Sequence, residues 1–212
     1  GKTAAFLTIE GGAALAGDIT RVKKLADDGV RCMTLTWNGE NAIAGGSGTD
    51  KGLTRFGREV IRELNRLKIC TDLSHLNDKS FFAAIERADY PIASHSNSRE
   101  ICPAPRNLTD EQLKLIGEKN GLIGLCFYPK FLGGNAFEKI YENICRLGEL
   151  GLEDNIAIGS DFDGADMPPE LSDISKVPDL YAYLEKRGIS AETLKKIFYE
   201  NAQNYFDKLS GI

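Results

Sequence analysis

Residues 69–95 read ICTDLSHLNDKSFFAAIERADYPIASH. A short apolar run ends in His75, a stretch with Phe81, Phe82, Ile85 and Ala88 at helical spacing follows, and a second apolar run ends in His95. The reading is strand, helix, strand. Short apolar runs bounded by turn signals suit strands buried on both faces, and an amphipathic helix between them is the crossover that two parallel strands need. His75 and His95 are the two histidines of the chain. In a barrel of parallel strands the strand ends share one rim, so histidines placed there can converge on a metal. Taken alone, either would more often be a satisfied core or loop residue.

Working outward, the same alternation runs through all 212 residues. Strands are expected over 5–9, 31–36, 69–74, 92–94, 122–128 and 156–160, each with a helix behind it, which points to repeated βα units and a parallel α/β fold in a single domain over 1–212. Over 54–68, Phe56, Val60, Leu64 and Leu67 form an apolar stripe, and Arg58, Glu59, Arg62, Glu63 and Arg66 cover the other face. Phe137, Ile140, Tyr141, Ile144 and Leu147 form another stripe. Thr109 and Gln112 read as a capping box that opens a helix over 110–119, and Asn120-Gly121 as its stop. Helices are also expected over 180–186 and 191–209. Two long loops, 38–52 with its five glycines and 164–177 with Pro168-Pro169, follow strand candidates and are candidate lids.

Composition narrows the function. The net charge is −5 with both signs interspersed, which gives no electrostatic footprint for nucleic acid or an anionic membrane. The loop 38–52 lacks the order of a phosphate-binding loop, and no GxGxxG opens a helix. Gly1 to Leu7 is not arranged as a signal peptide, and no apolar run approaches a membrane span. The five cysteines lack CxxC spacing and read as reduced core thiols, which favours a cytoplasmic chain; a cysteine nucleophile is the lesser alternative.

Chemistry gathers at the strand ends. Glu10 closes the first strand before Gly11-Gly12 and is a candidate bridging carboxylate, although Glu-Gly-Gly alone is more often a plain turn. Ser160-Asp161-Phe162-Asp163-Gly164 closes the last strand; Asp161 is a candidate proton-transfer group and Asp163 an Asx-turn residue. Asp72 reads as structural. Arg99 and Arg106 sit in a proline-stiffened loop where a guanidinium could clamp a carboxylate, although Arg99 reads by default as a surface arginine.

Six ordered motifs are more specific than any one: Thr8-Ile9-Glu10-Gly11-Gly12, Arg31-Cys32-Met33-Thr34-Leu35-Thr36, Asp72-Leu73-Ser74-His75, Ser94-His95-Ser96-Asn97-Ser98, Arg106-Asn107-Leu108 and Gly159-Ser160-Asp161-Phe162-Asp163-Gly164. Together with Gly52-Leu53-Thr54-Arg55-Phe56-Gly57, they resemble the renal (membrane) dipeptidase family over the whole length. The resemblance implies a (β/α)8 TIM barrel of the metal-dependent hydrolase type. It implies two zinc ions in a complete site and cleavage of dipeptides, including some with a D-configured C-terminal residue, by metal-bound hydroxide. Carried over, Glu10 matches the bridging carboxylate, His75 and His95 the ligands of the second zinc, Asp161 the acid near the scissile bond, and Arg106 the clamp for the substrate carboxylate. Tyr128 matches a substrate-pocket position, and Trp37 stands where animal members carry a substrate-contacting histidine. The family's His-x-Asp pair, which completes the first zinc site, has no counterpart among the two histidines here. The six βα units resemble the third to eighth of the barrel. The chain is therefore expected to lack two units, supplied by an N-terminal segment or a homodimer partner, and the alternative function is an inactive relic or fragment used for binding or assembly.

Overall fold

A computed structural model describes residues 5–210 of the chain. Of the opening heptapeptide read above, residues 1–4 lie outside the described residues. The chain forms two compact units that meet between Ile92 and Ala93.

In the first unit, β1 (Leu7–Glu10), β2 (Val30–Thr34), β3 (Cys70–Asp72) and β4 (Pro91–Ala93) pair in chain order, all parallel. The register aligns Thr8 with Cys32 and Cys70, and Glu10 with Thr34 and Asp72. Since side chains alternate across a strand, these two rows share one face. A bond of 2.6 Å from the Thr34 hydroxyl to Asp72 Oδ2 confirms the second row. The lower row places the Cys32 thiol against Cys70; this contact and full burial push it well above the usual thiol range. Glu10 therefore stands in one row with Thr34 and Asp72, which are buried and bonded to one another.

The crossovers lie where the apolar stripes predict. Helix α1 (Thr20–Asp27) precedes β2, and α2 (Arg55–Leu67) precedes β3. Thr54 caps α2 by accepting the Gly57 N–H, and Val60, Ile61 and Leu64 form its buried stripe. Helix α3 (Asp78–Ile85) is capped by Asn77 and buries Phe81, Ala84 and Ile85. Each fully buried large apolar side chain contributes roughly 1.5–3 kcal/mol.

In the second unit, α4 (Asp110–Glu118) leads into β5 (Leu122–Leu125); α5 (Pro129–Leu132) and α6 (Ala136–Glu149) precede β6 (Ile156–Ile158), which pairs parallel with β5. The capping box of Thr109 and Gln112 is present in both halves, and Asn120 takes the left-handed conformation at the stop, φ 53°. After β6 come α7 (Val177–Lys186), α8 (Ala191–Lys195) and α9 (Asn201–Ser210). The one helix expected over 191–209 is interrupted by a π-helical turn, Lys196–Glu200. Immediately after that turn, the Asn201 amide donates to the carbonyls of Glu153 and Ile156, tying the helix to the start of β6. β5 and β6 end earlier than expected, and the Cys126 N–H donates to the Asn97 side chain in place of a strand partner.

Two glycines let backbones meet at the strand ends of this unit. A Cβ on Gly124 would lie 2.0 Å from the Ser94 carbonyl oxygen, and one on Gly159 would lie 2.1 Å from the same atom. Among the described residues, no helix is long and apolar enough to cross a membrane.

Candidate functional site

The first unit brings together Glu10, His75 and Trp37. His75 follows β3 at φ 69°, a left-handed conformation uncommon for a residue with a Cβ and often found at functional sites. Asp72 sets up that turn, accepting the Ser74 N–H at 3.1 Å. The result buries the imidazole and places Nε2 3.0 Å from Glu10 Oε1. The other ring nitrogen, Nδ1, lies 2.9 Å from Asn38 Oδ1, so an Nδ1–H donates to the amide oxygen. This arrangement points Nε2 at the carboxylate, as an imidazole is held when it ligates a metal. Trp37 is 60% exposed, with its ring 6.1 Å from that of His75.

Asn38 is the functional residue that sequence reasoning missed. It opens the loop 38–52, and that loop is not the lid expected for it. Ser47 N–H donates to the His75 carbonyl at 2.7 Å, and Gly46 bridges Leu76 in antiparallel fashion. The Asn77 amide donates to the carbonyls of Thr49 and Lys51, and Ile43, Ala44, Gly45 and Gly46 are buried. A Cβ on Gly46 would sit 2.0 Å from the Trp37 carbonyl oxygen. The glycines serve close backbone approach, and the loop is a collar fixed around His75.

The second unit brings together His95 and Arg106. His95 follows β4 and is buried, with Nδ1 2.7 Å from Ser94 Oγ, so Nε2 is the nitrogen that would take a metal. Arg106 is buried beside it: Nη1 donates to Ser96 Oγ and Nη2 to the His95 carbonyl, each at 3.3 Å. The guanidinium lies 5.3 Å from the Phe131 ring, which meets the Tyr128 ring edge-on at 4.9 Å. Arg99 instead bonds the Asn107 and Pro105 carbonyls of its own loop. Asp161 follows β6 at φ 74°, also in the left-handed conformation. Burial pushes the Cys126 thiol up to about 12, the Asp161 charge adds to this, and Arg106 opposes it. Cys126 is therefore a protonated core thiol and no nucleophile.

The sequence pattern of membrane dipeptidase, peptidase family M19, matches residues 1–210. The chain belongs to the membrane dipeptidase family. An uncharacterized dipeptidase of Schizosaccharomyces pombe is 35% identical to this membrane dipeptidase homologue over 207 residues, covering 92% of the chain and 51% of its own length. An uncharacterized Klebsiella pneumoniae protein from the pqqA 5′ region is 34% identical over 209 residues, covering 91% of the chain and 77% of its own. Among solved structures, the family M19 metallopeptidase dipeptidase AC superposes with a TM-score of 0.93 at 31% identity, over 98% of this chain and 66% of its own. A Rhodobacter sphaeroides metallopeptidase liganded with a phosphinate mimic of the dipeptide L-Ala-D-Ala gives 0.91 at 31% identity, over 96% and 63%. The chain thus has the parallel α/β, TIM-barrel-like fold of these membrane dipeptidase relatives, and it spans about two thirds of each of these two structures and about half of the S. pombe protein.

Proposed function

We propose that the protein to which this chain belongs hydrolyses dipeptides with zinc, including dipeptides that end in a D-residue. The observation that carries the reading is the Glu10–His75 pair, backed by Asn38. Two ligands of one tetrahedral zinc lie about 3.3 Å apart when each bond is about 2.0–2.1 Å. The 3.0 Å between Oε1 and Nε2 fits that separation, and a carboxylate with a neutral imidazole is a zinc donor set. His95 completes the set proposed for this chain. Two zinc ions would need the His-x-Asp pair of the family, which an N-terminal segment or a second copy would supply.

Zinc would supply a Lewis acid that polarises the scissile carbonyl and acidifies water. The remaining work falls to side chains. Asp161 accepts the proton of the attacking water as the C–O bond forms and then returns it to the amine nitrogen as the peptide C–N bond breaks. Arg106, oriented by Ser96 and the His95 carbonyl and packed beside the Phe131 ring, binds the substrate's terminal carboxylate in bidentate fashion. Tyr128, edge-on to Phe131, and the exposed Trp37 are each proposed as a contact for a substrate side chain. The family pattern runs without a break over 1–210, which supports a single domain, and five cysteines outside any disulfide support a cytoplasmic protein.

The test compares wild type with Asp161→Asn on L-Ala-D-Ala. Hydrolysis should fall by at least about a hundredfold, in the range general acid–base catalysis supplies, with bound zinc and the circular dichroism spectrum unchanged. Full activity in the variant would remove Asp161 from the mechanism. A protein that retains no zinc after dialysis would favour the inactive binding role.

A further inference from the structure

We propose that a groove on the first unit, between α2 and the end of α3, binds a small molecule that carries linked phosphates. The cavity measures about 650 Å³ and is lined by Arg55, Arg58, Arg62 and Arg87 with Glu59 and Asn65. That volume is in the range of small-molecule sites. Four guanidinium groups line it, two of them paired with carboxylates, Arg55 with Glu59 and Arg87 with Glu86, on a chain whose net charge is −5.

Local structure explains how they collect. Positions 55, 58 and 62 recur at helical spacing along one face of α2, whose other face is the buried stripe of Val60, Ile61 and Leu64. Glu59 is engaged by Arg55 at 3.3 Å. Among the described residues, Arg58 and Arg62 have no acidic partner; the Arg58 side chain reaches the Leu53 carbonyl at 3.4 Å. The opposite wall is held in place: the Asn65 amide donates to the Arg87 carbonyl at 2.7 Å, its oxygen accepts the Asp89 N–H at 3.0 Å, and Arg87 Nη1 donates to the Ala83 carbonyl and to Glu86. The groove therefore sets a tethered guanidinium, ion-paired with Glu86, opposite two that have no acidic partner among the described residues.

Ligand chemistry follows from the spacing. A guanidinium fork matches the oxygens of a phosphate, and arginines from 55 to 62 span about 10 Å of helix. One phosphate would engage one end of that span, a pyrophosphate engages two neighbouring guanidinium groups, and a nucleoside triphosphate reaches further along it. An extended nucleic acid needs a broader positive surface than an acidic chain offers outside this groove.

The test is calorimetric titration of the full chain with pyrophosphate, ATP and inorganic phosphate at low salt, after removal of divalent metal with a chelator. Pyrophosphate or ATP should bind once per chain, at least tenfold more tightly than inorganic phosphate, and more weakly as salt rises. Arg58→Gln with Arg62→Gln should weaken binding at least tenfold. Arg66→Gln, on the same helix but paired with Glu63 and outside the groove, should leave it unchanged. Absence of binding, equal binding by the double variant, or tighter binding of a DNA duplex than of ATP would overturn the proposal. Unchanged pyrophosphate binding in His75→Ala would separate this groove from the hydrolytic site; loss of binding there would also overturn it.

Discussion

The hydrogen bond between His75 and Asn38 spans 37 positions in sequence and decides which ring nitrogen faces Glu10. Asn38→Leu removes the acceptor at similar volume, and we expect zinc affinity to fall tenfold to a hundredfold, with Asn38→Asp restoring it. Competition with a chromogenic chelator measures both. Glu10 and the two histidines were legible as strand-end residues, because a strand end is a position in a repeating pattern. Asn38 was not, because an asparagine beside glycines reads as a turn until the loop is seen to fold back on His75. Cys126 carries the pH prediction. Its folded-state value near 12 lies above the unfolded one of about 8.5, so its contribution to stability is complete below about pH 8.5 and is lost as pH rises toward 12. Urea midpoints at pH 8 and pH 10.5 should fall further in wild type than in Cys126→Ala, and Cys126 should resist alkylation in the native protein at pH 8.

At the scale of elements, the collar 38–52 bears most on the site. Its backbone bonds to His75, Leu76 and Asn77 make it part of the β3 turn, so damage to one should appear in the other. Gly46→Ala forces a Cβ against the Trp37 carbonyl, and we expect a loss of about 3 kcal/mol in a urea melt together with weaker zinc binding. Stability lost with zinc affinity intact would show that the collar and the proposed metal ligands are independent. The elements themselves were largely legible: apolar stripes located α2, α3 and α6, and the capping box set the first residue of α4. The collar and the π turn were not. Glycine content reports conformational freedom but not what the backbone approaches, and a π turn depends on what Asn201 reaches in the strand below.

For the whole molecule, β1 pairs with β2 alone among the described residues, and Leu7 is 58% and Phe6 44% exposed. A strand edge with apolar side chains is a template for pairing with another chain. The 212-residue chain should self-associate with rising concentration, and Leu7→Lys should reduce this in sedimentation velocity; a monomer at all concentrations in wild type would count against it. The glycines at Ser94 carry a different lesson. Because Gly124 and Gly159 leave no room for a Cβ beside that carbonyl, every substitution at either position collides with backbone. In a saturation-mutagenesis map these two would score as intolerant as Glu10 or Asp161. An activity screen alone would then list them among the chemical machinery, and only a parallel measurement of protein abundance would sort them back into architecture.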